Sequence, residues 1–165
     1  QTVADRGDDP EQLPHIYADL INAAISDIPA GMTLAMHLCR GNFQSTFVAS
    51  GGYEPVAEIL FNDVNVHAYF MEYDSDRAGG FAPLRFVPKD KGVVLGLVSS
   101  KTPQLEKMDL LKKRTEEAAR YIDAARLAIS PQCGFASTMG GNPVTEADER
   151  AKLKLCADAA AAIWG

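Results

Sequence analysis

Short apolar runs alternate along this chain with longer segments in which apolar residues recur at helical spacing, and this alternation limits the possible folds most strongly. The runs are predicted to be strands, at 32–37, 66–72, 92–98 and 126–130. The longer segments are predicted to be helices, at 11–28, 56–62, 106–122 and 145–165. Strands that are apolar nearly throughout are typical of a parallel sheet covered on both faces. The pattern therefore predicts an α/β protein with about four parallel strands and covering helices.

The length of the chain leaves two architectures open. Its 165 residues suit one domain, and four strand–helix units would make a small open sheet. No predicted strand is followed by a glycine-rich phosphate-binding turn of the G-x-G-x-x-G or Walker type. A complete (β/α)8 barrel has about 250 residues, so the alternative is half of such a barrel with two open strand edges.

Charge and hydropathy exclude several kinds of partner. Acidic residues outnumber basic ones by 22 to 16, so the chain lacks the basic surface that binds nucleic acid or anionic lipid. No apolar run approaches the roughly 18–20 residues that span a bilayer, and the polar N-terminus is unlike a signal peptide. Three cysteines without tight spacing do not fit a secreted disulfide framework. We therefore expect a cytoplasmic protein that binds neither nucleic acid nor membranes.

Four metal-binding side chains fall where predicted strands end. His37 and Cys39 lie at the end of the first strand, Glu72 ends the second, and Cys133 follows the fourth. Ligands of parallel α/β folds bind at the carboxyl ends of the strands, so these side chains are expected to converge. Zn²⁺ takes four tetrahedral ligands of these types, and soft thiolates favour it over Mg²⁺ or Ca²⁺. The sequence thus predicts a zinc site formed by His37, Cys39, Glu72 and Cys133.

Two interpretations of such a site remain open. Two thiolates and a carboxylate around Zn²⁺ give a formal charge of about -1, which suits thiol binding better than polarisation of water. A substrate thiol that displaced Glu72 would bind as a thiolate, with His37, Cys39 and Cys133 as the fixed ligands, and the chemistry would be S-alkylation. Four protein ligands are also typical of a closed, purely structural zinc site.

Three other residues of the same types are assigned no metal role. His67 lies at the start of a predicted strand, on the opposite face from the other candidates, and His15 lies in the first turns of a helix. Both histidines are expected to be structural or exposed to solvent. Cys156 lies in the last predicted helix, where a small buried apolar residue is expected.

The segment 73–91, between the second and third predicted strands, is rich in glycine, proline and charge. It is long for a connection in a compact domain. It is expected to be either a lid over a site or an excursion along the surface.

Five segments of the chain read HLCRGNF, GGYEPVAEILFN, YFMEYDSDRAGGFAPLRF, VLGLVSSKTPQLE and SPQCGFAST. Together they resemble the C-terminal part of the cobalamin-independent methionine synthase family, and more closely its short, single-barrel relatives. The resemblance covers nearly the whole chain. The resemblance implies the C-terminal half of a TIM (β/α)8 barrel, forming one partial catalytic domain over 1–165. It also implies a zinc centre of one His, two Cys and one Glu, which correspond by position to His37, Cys39, Glu72 and Cys133.

The resemblance implies an activity as well. Members of the family transfer a methyl group from 5-methyltetrahydropteroyl(poly)glutamate to the sulfur of homocysteine, forming methionine. The family's acidic residue that holds the homocysteine amino group, and the rest of that pocket, belong to the first half of the barrel, in a motif that no residue here matches. Where classical synthases carry a histidine after the third of these strands, this chain has Ser99 and Ser100.

Three functions stand as hypotheses. The first is zinc-dependent methyl transfer from a methyltetrahydrofolate-type donor to homocysteine. The second is zinc-dependent alkyl transfer to another small thiol, such as coenzyme M. The third is a non-catalytic, zinc-binding half-barrel that pairs with a partner chain, because proteins normally cover or pair open strand edges. The partner would be an N-terminal half-barrel or a second copy of this chain.

Overall fold

Strands and helices alternate through the computed structural model, which describes residues 4–46 and 48–165. The strands are β1 Ala35–Leu38, β2 Ala68–Glu72, β3 Gly92–Val98 and β4 Leu127–Pro131. The α-helices are α1 Leu13–Ala24, α2 Ala57–Asp63, α3 Met108–Ala118 and α4 Glu146–Trp164. Short 3-10 helices cover Ala4–Arg6, Asp76–Ala78, Ala82–Phe86 and Ala124–Arg126. Among the described residues, no helix combines the length and apolarity needed to cross a membrane.

The order of the strands decides between the two predicted architectures. All neighbouring strands are parallel, and their order in the sheet is their order in the chain, β1-β2-β3-β4. Because crossovers between parallel strands are right-handed, a sequential order places every connecting helix on the same side of the sheet. A doubly wound sheet instead reverses its strand order and carries helices on both sides. The prediction of an α/β half-barrel with four parallel strands is therefore confirmed.

The two faces of the sheet differ in burial. In β2, Tyr69 and Met71 face the helices and are at most 1% exposed, whereas Phe70 between them is 38% exposed. Leu95 of β3 lies in the same buried core as these two side chains. The expectation that helices cover both faces is wrong for the described residues, because the sequential strand order leaves the other face bare. In a closed barrel that bare face is the interior.

The element boundaries follow the predictions most closely in the centre of the sheet. β3 spans the predicted 92–98, and β4 begins one residue later than predicted. β1 begins only at Ala35, the first residue paired with β2, because an apolar run does not show where its partner strand starts. The helix predicted over 11–28 is shorter, since the chain leaves helical geometry at Ile25.

The long segment 73–91 completes the core. It contains two of the 3-10 helices, and the side chains of Phe81 and Leu84 are buried. The ring of Tyr73 lies against that of Phe81, with centroids 4.5 Å apart. This segment is therefore a packed excursion and not a lid.

Candidate metal centre

The strands bring the four predicted ligands to one edge of the sheet. His37 lies in β1 and is paired in register with Phe70, so Glu72, two residues further along β2, faces the same side. Cys39 is the first residue after β1, and Cys133 is the second residue after β4. The side chains therefore meet at the carboxyl ends of the strands, on the bare face of the half-barrel.

The donor atoms lie close enough together to surround one ion. One ligand atom from each of the four residues lies within 4.8 Å of all the others. The Cys133 sulfur is 3.0 Å from the Cys39 sulfur, 2.6 Å from Glu72 Oε1 and 3.7 Å from His37 Nε2. Donors at the usual Zn–N, Zn–O and Zn–S distances from a tetrahedral ion lie roughly 3.3–3.8 Å apart. The cluster therefore has the donor types and the dimensions to hold a metal ion.

Glu72 is the most enclosed member of the cluster. It is 1% exposed, whereas His37 and Cys39 are open to the bare face. Burial by itself raises the pKa of the Glu72 carboxyl. Hydrogen bonds from Cys133 and the Arg40 amide, with the charges of two nearby cations, outweigh that effect and lower the pKa below its ordinary value. The site thus keeps this carboxyl ionised.

The thiol of Cys133 has the opposite shift. Burial raises the pKa of this thiol, and the hydrogen bond to the Glu72 carboxylate and the nearby Cys39 sulfur raise it further. In the protein alone, the proton shared across the short Cys133–Glu72 contact therefore belongs to sulfur. A bound cation reverses this preference, because thiols coordinate metals as thiolates.

Backbone and loop contacts fix the two cysteines. The Gly41 amide donates a hydrogen bond to the Cys39 sulfur over 3.1 Å. The loops after β1 and β4 also bind each other, since Asn42 Nδ2 donates to the Gly134 carbonyl over 3.2 Å and the Gln44 backbone amide donates to Ser137 Oγ over 2.8 Å. These contacts hold the loop that carries Cys39 against the loop that follows Cys133.

Arg40 and Tyr53 hold Glu72 in place, and no sequence pattern indicated either residue. The Arg40 amide donates to Glu72 Oε2 over 3.0 Å, and its buried guanidinium donates to the Gly51 carbonyl, the Glu72 carbonyl and the Tyr53 hydroxyl. The same hydroxyl accepts a hydrogen bond from the Glu72 amide over 2.9 Å. The end of β2 is thereby held by both its backbone and its side chain.

Lys101 and Gln132 form a second polar pair beside the cluster. The Lys101 ammonium donates to Gln132 Oε1 over 2.8 Å and lies 4.0 Å from Glu72 Oε1. Both side chains are almost fully buried. Lys101 follows the two serines that come after β3. A single lysine in a loop is ordinarily solvated, so its sequence position did not indicate a role at the site.

The three residues that were assigned no metal role lie outside the cluster. His67 Nδ1 accepts a hydrogen bond from the Leu34 amide at the entry to β1. His15 is exposed and lies 3.0 Å from the Asp63 carboxylate. Cys156 is buried on α4.

Four parallel strands with helices on one side and a cluster of metal-binding side chains at the strand ends define half of a (β/α)8-barrel domain with a candidate metal centre. A family model described as "Cobalamin-independent synthase, Catalytic domain" matches residues 17–162. The chain belongs to this family of cobalamin-independent methionine synthases and their short single-barrel relatives, as its motifs indicated.

Relatives and solved structures agree with this assignment. Two uncharacterized proteins of Bacillus subtilis, YxjH and YxjG, are 51% and 49% identical over 159 residues, which is 96% of this chain and 42% of each of theirs. A methionine synthase of Pyrococcus abyssi is 25% identical over 76% of this chain and 33% of its own. The chain thus spans less than half the length of these relatives.

Two solved structures show the same fold. One, of a protein from Listeria monocytogenes described as a candidate vitamin-B12-independent methionine synthase, superposes with a TM-score of 0.74 and 36% identity over 96% of this chain and 43% of its own. The other, of a B12-independent methionine synthase from Shewanella sp. W3-18-1 in complex with selenomethionine, gives 0.73 over 93% and 44% of the respective chains. At 19% identity, the second structure supports the fold alone.

Proposed function

We propose that His37, Cys39, Glu72 and Cys133 bind one Zn²⁺. Two sulfurs, one imidazole and one carboxylate are a donor set that suits zinc and not the hard cations Mg²⁺ or Ca²⁺. Family membership points to the same metal. The observation that carries the proposal is the meeting of these donor atoms within 4.8 Å, from the ends of three strands.

We further propose that the domain serves methyl transfer from 5-methyltetrahydropteroyl(poly)glutamate to the thiol of homocysteine, forming methionine. Zinc supplies this chemistry by stabilising a substrate thiol as its thiolate, which is the nucleophilic form. The proposal rests on the family and on the similarity to the Pyrococcus abyssi methionine synthase. In it, the thiol loses its proton to solvent and the new S–CH3 bond forms as the methyl–nitrogen bond of the donor breaks. The electron pair of that bond stays on the donor nitrogen, which takes up a proton from solvent to leave tetrahydropteroyl(poly)glutamate.

The chain's own residues have distinct tasks in this scheme. His37, Cys39 and Cys133 are the fixed ligands, and the loop contacts described above hold the two cysteines in place. Glu72 would be the exchangeable ligand, whose place a substrate thiol would take. Its backbone stays fixed by Arg40 and Tyr53 during the exchange.

The substrate pocket is proposed to need a second half-barrel. The chain spans 42–44% of the length of the Bacillus relatives and of the superposed structures. Its inner sheet face is exposed at Phe70 and His37. An N-terminal half-barrel, or a second copy of this chain, would cover that face and complete the pocket. We also propose a cytoplasmic location, which keeps thiols reduced and is consistent with the three free cysteines.

A second candidate function is alkyl transfer to another small thiol, such as coenzyme M. Ser99 and Ser100 favour it, since they follow β3 where classical synthases carry a histidine that serves the folate donor. A third candidate, favoured by the bare face of the sheet, is a zinc-binding half-barrel without catalytic activity that pairs with a partner chain.

A thiol series separates these functions. Methyl transfer from methyltetrahydrofolate is measured with homocysteine and coenzyme M as competing acceptors, with the chain alone and with the N-terminal half of YxjH added. Preference for homocysteine supports methionine synthesis, preference for coenzyme M supports the second candidate, and no transfer by any combination supports the third. Cys133→Ser is expected to abolish transfer, whereas Cys156→Ser is expected to retain it. Transfer by Cys133→Ser would contradict the zinc mechanism.

A further inference from the structure

The two oxygens of Glu72 have different surroundings. Oε2 accepts the Arg40 amide hydrogen bond and lies 3.6 Å from the Arg77 guanidinium, which also lies 3.5 Å from Asp74. Oε1 faces the Cys133 sulfur and, on its other side, the Lys101 ammonium at 4.0 Å. Oε2 is therefore held by the fold, and Oε1 is the oxygen that faces the donor atoms of the cluster.

Within the described residues, the Lys101 ammonium has hydrogen-bond donors that no acceptor uses. Its side chain is 9% exposed, and within residues 4–46 and 48–165 its ammonium hydrogen-bonds one group, Gln132 Oε1. An ammonium carries three donors. Glu72 Oε1 lies just outside hydrogen-bonding distance, about 1 Å too far for a normal N–H···O bond. A small rotation of either side chain closes that gap.

The proposed exchange at zinc would leave the Glu72 carboxylate without its metal partner, and the Lys101 ammonium is close enough to pair with it. When a substrate thiol takes the place of Glu72, the carboxylate becomes an ionised group in a buried position without its metal partner, which is strongly unfavourable. Lys101 is the cation on the side of Oε1, and Gln132 already fixes the position of its ammonium.

We propose that Lys101 is a positioning residue that receives the Glu72 carboxylate when a thiol displaces it from the metal. This inference rests on the proposed zinc function. The Glu72–Lys101 ion pair then forms as the metal–carboxylate bond breaks, and Gln132 aims the ammonium at Oε1. Lys101 touches neither metal nor thiol in this role, so it acts through Glu72.

The test measures thiol binding to the cobalt-substituted chain. Co²⁺ replaces Zn²⁺, and the thiolate-to-cobalt absorption band is followed as 2-mercaptoethanol is added, a thiol that needs no amino-acid pocket. The variants are Lys101→Met, which is neutral and apolar, Lys101→Gln, which keeps a donor toward Gln132, and Lys101→Arg, which keeps the charge. Lys107→Met, at an exposed lysine, is the control.

The variants distinguish the effect of the Lys101 charge on thiol binding from the effect of its side-chain packing. Both neutral variants should retain one cobalt per chain and bind 2-mercaptoethanol about tenfold more weakly or worse, since a buried charge at 4 Å is a strong partner. Lys101→Arg and Lys107→Met should stay within about threefold of the wild type. If Lys101→Met fails to fold, Lys101→Gln carries the test.

Two contrary outcomes are distinguishable. Neutral variants that load cobalt and bind the thiol as tightly as the wild type would overturn the role of Lys101 and leave the proposed function intact. A wild-type chain that loads cobalt but shows no spectral change with thiol would overturn the exchange at the metal itself, and with it both proposals.

Discussion

At the scale of single residues, Arg40 connects the candidate metal centre to the stability of the fold. Its buried guanidinium satisfies two carbonyls and the Tyr53 hydroxyl. Arg40→Ala removes three buried hydrogen bonds made by a charged donor, and we expect the free energy of unfolding to fall by about 3 kcal/mol. Urea unfolding followed by circular dichroism measures the change. Arg120→Ala, at an exposed position, should change it by less than about 0.5 kcal/mol, and an equal effect of the two substitutions would contradict the role given to Arg40.

The ligand positions were predictable at this scale, whereas their supports were not. His37, Cys39, Glu72 and Cys133 have side chains of one chemical class at strand ends, and a parallel sheet brings its strand ends together. Whether all four bind metal remains a prediction. Arg40 belongs to no pattern, because its role depends on the path that the chain takes after β1, which brings its guanidinium to the end of β2.

At the scale of elements, the close packing of β3 depends on a glycine. A Cβ on Gly96 would lie 3.0 Å from the Met71 carbonyl oxygen and 3.5 Å from the Pro131 carbonyl oxygen, which are both backbone atoms. We expect Gly96→Ala to lower the free energy of unfolding by about 2 kcal/mol, because neither neighbouring strand moves easily. Gly80→Ala, where a Cβ meets nothing within 4 Å, is the matched control in the same urea experiment. Equal unfolding midpoints for the two variants would show that β3 has more room than the structure gives it.

The first turn of α4 is expected to depend on pH. Thr145 and Asp148 form a capping box, and the hydrogen bonds from Thr145 lower the pKa of the Asp148 carboxyl below its ordinary 3.8. A depressed folded pKa stabilises the protein above the ordinary value, and that contribution is lost as the pH falls through the folded value. Asp148→Asn should therefore be less stable than the wild type at pH 7, and the difference in unfolding midpoint should shrink below about pH 4. A difference that stays constant down to about pH 2 would contradict the capping role.

The sequence predicted the bounds of a strand or helix well only where its local pattern of apolar residues determines them. β3 has the predicted bounds, because its ladder partners flank it on both sides. β1 lies at the edge of the sheet, and its start is set by where β2 begins. The packing of segment 73–91 into the core was also missed, since its loop-like composition hides the buried Phe81 and Leu84.

At the scale of the whole molecule, the bare face of the sheet could not be predicted from the sequence. Strands that line a barrel interior are as apolar as strands covered by helices, so the pattern could not show that helices cover only one side. Phe70 lies on the bare face and is 38% exposed.

A partner on that face should depend on Phe70. We expect the chain to associate with the N-terminal half of YxjH in sedimentation velocity, and we expect Phe70→Asp to weaken the association at least tenfold by placing a charge in the interface. Tyr121→Asp, at a 44% exposed ring outside the sheet, is the control. Association that is unaffected by Phe70→Asp would show that the partner binds a surface other than the bare face of the sheet.

We propose that this half-barrel by itself assembles a zinc centre. The most direct measurement is zinc per chain in the purified, reduced protein by plasma mass spectrometry, for the wild type, Cys133→Ser and Cys156→Ser. We predict about one zinc per chain for the wild type and for Cys156→Ser, and almost none for Cys133→Ser, which lacks one of the two thiolates. A wild-type chain without zinc, or zinc that persists in Cys133→Ser, would contradict a zinc centre formed by these four ligands.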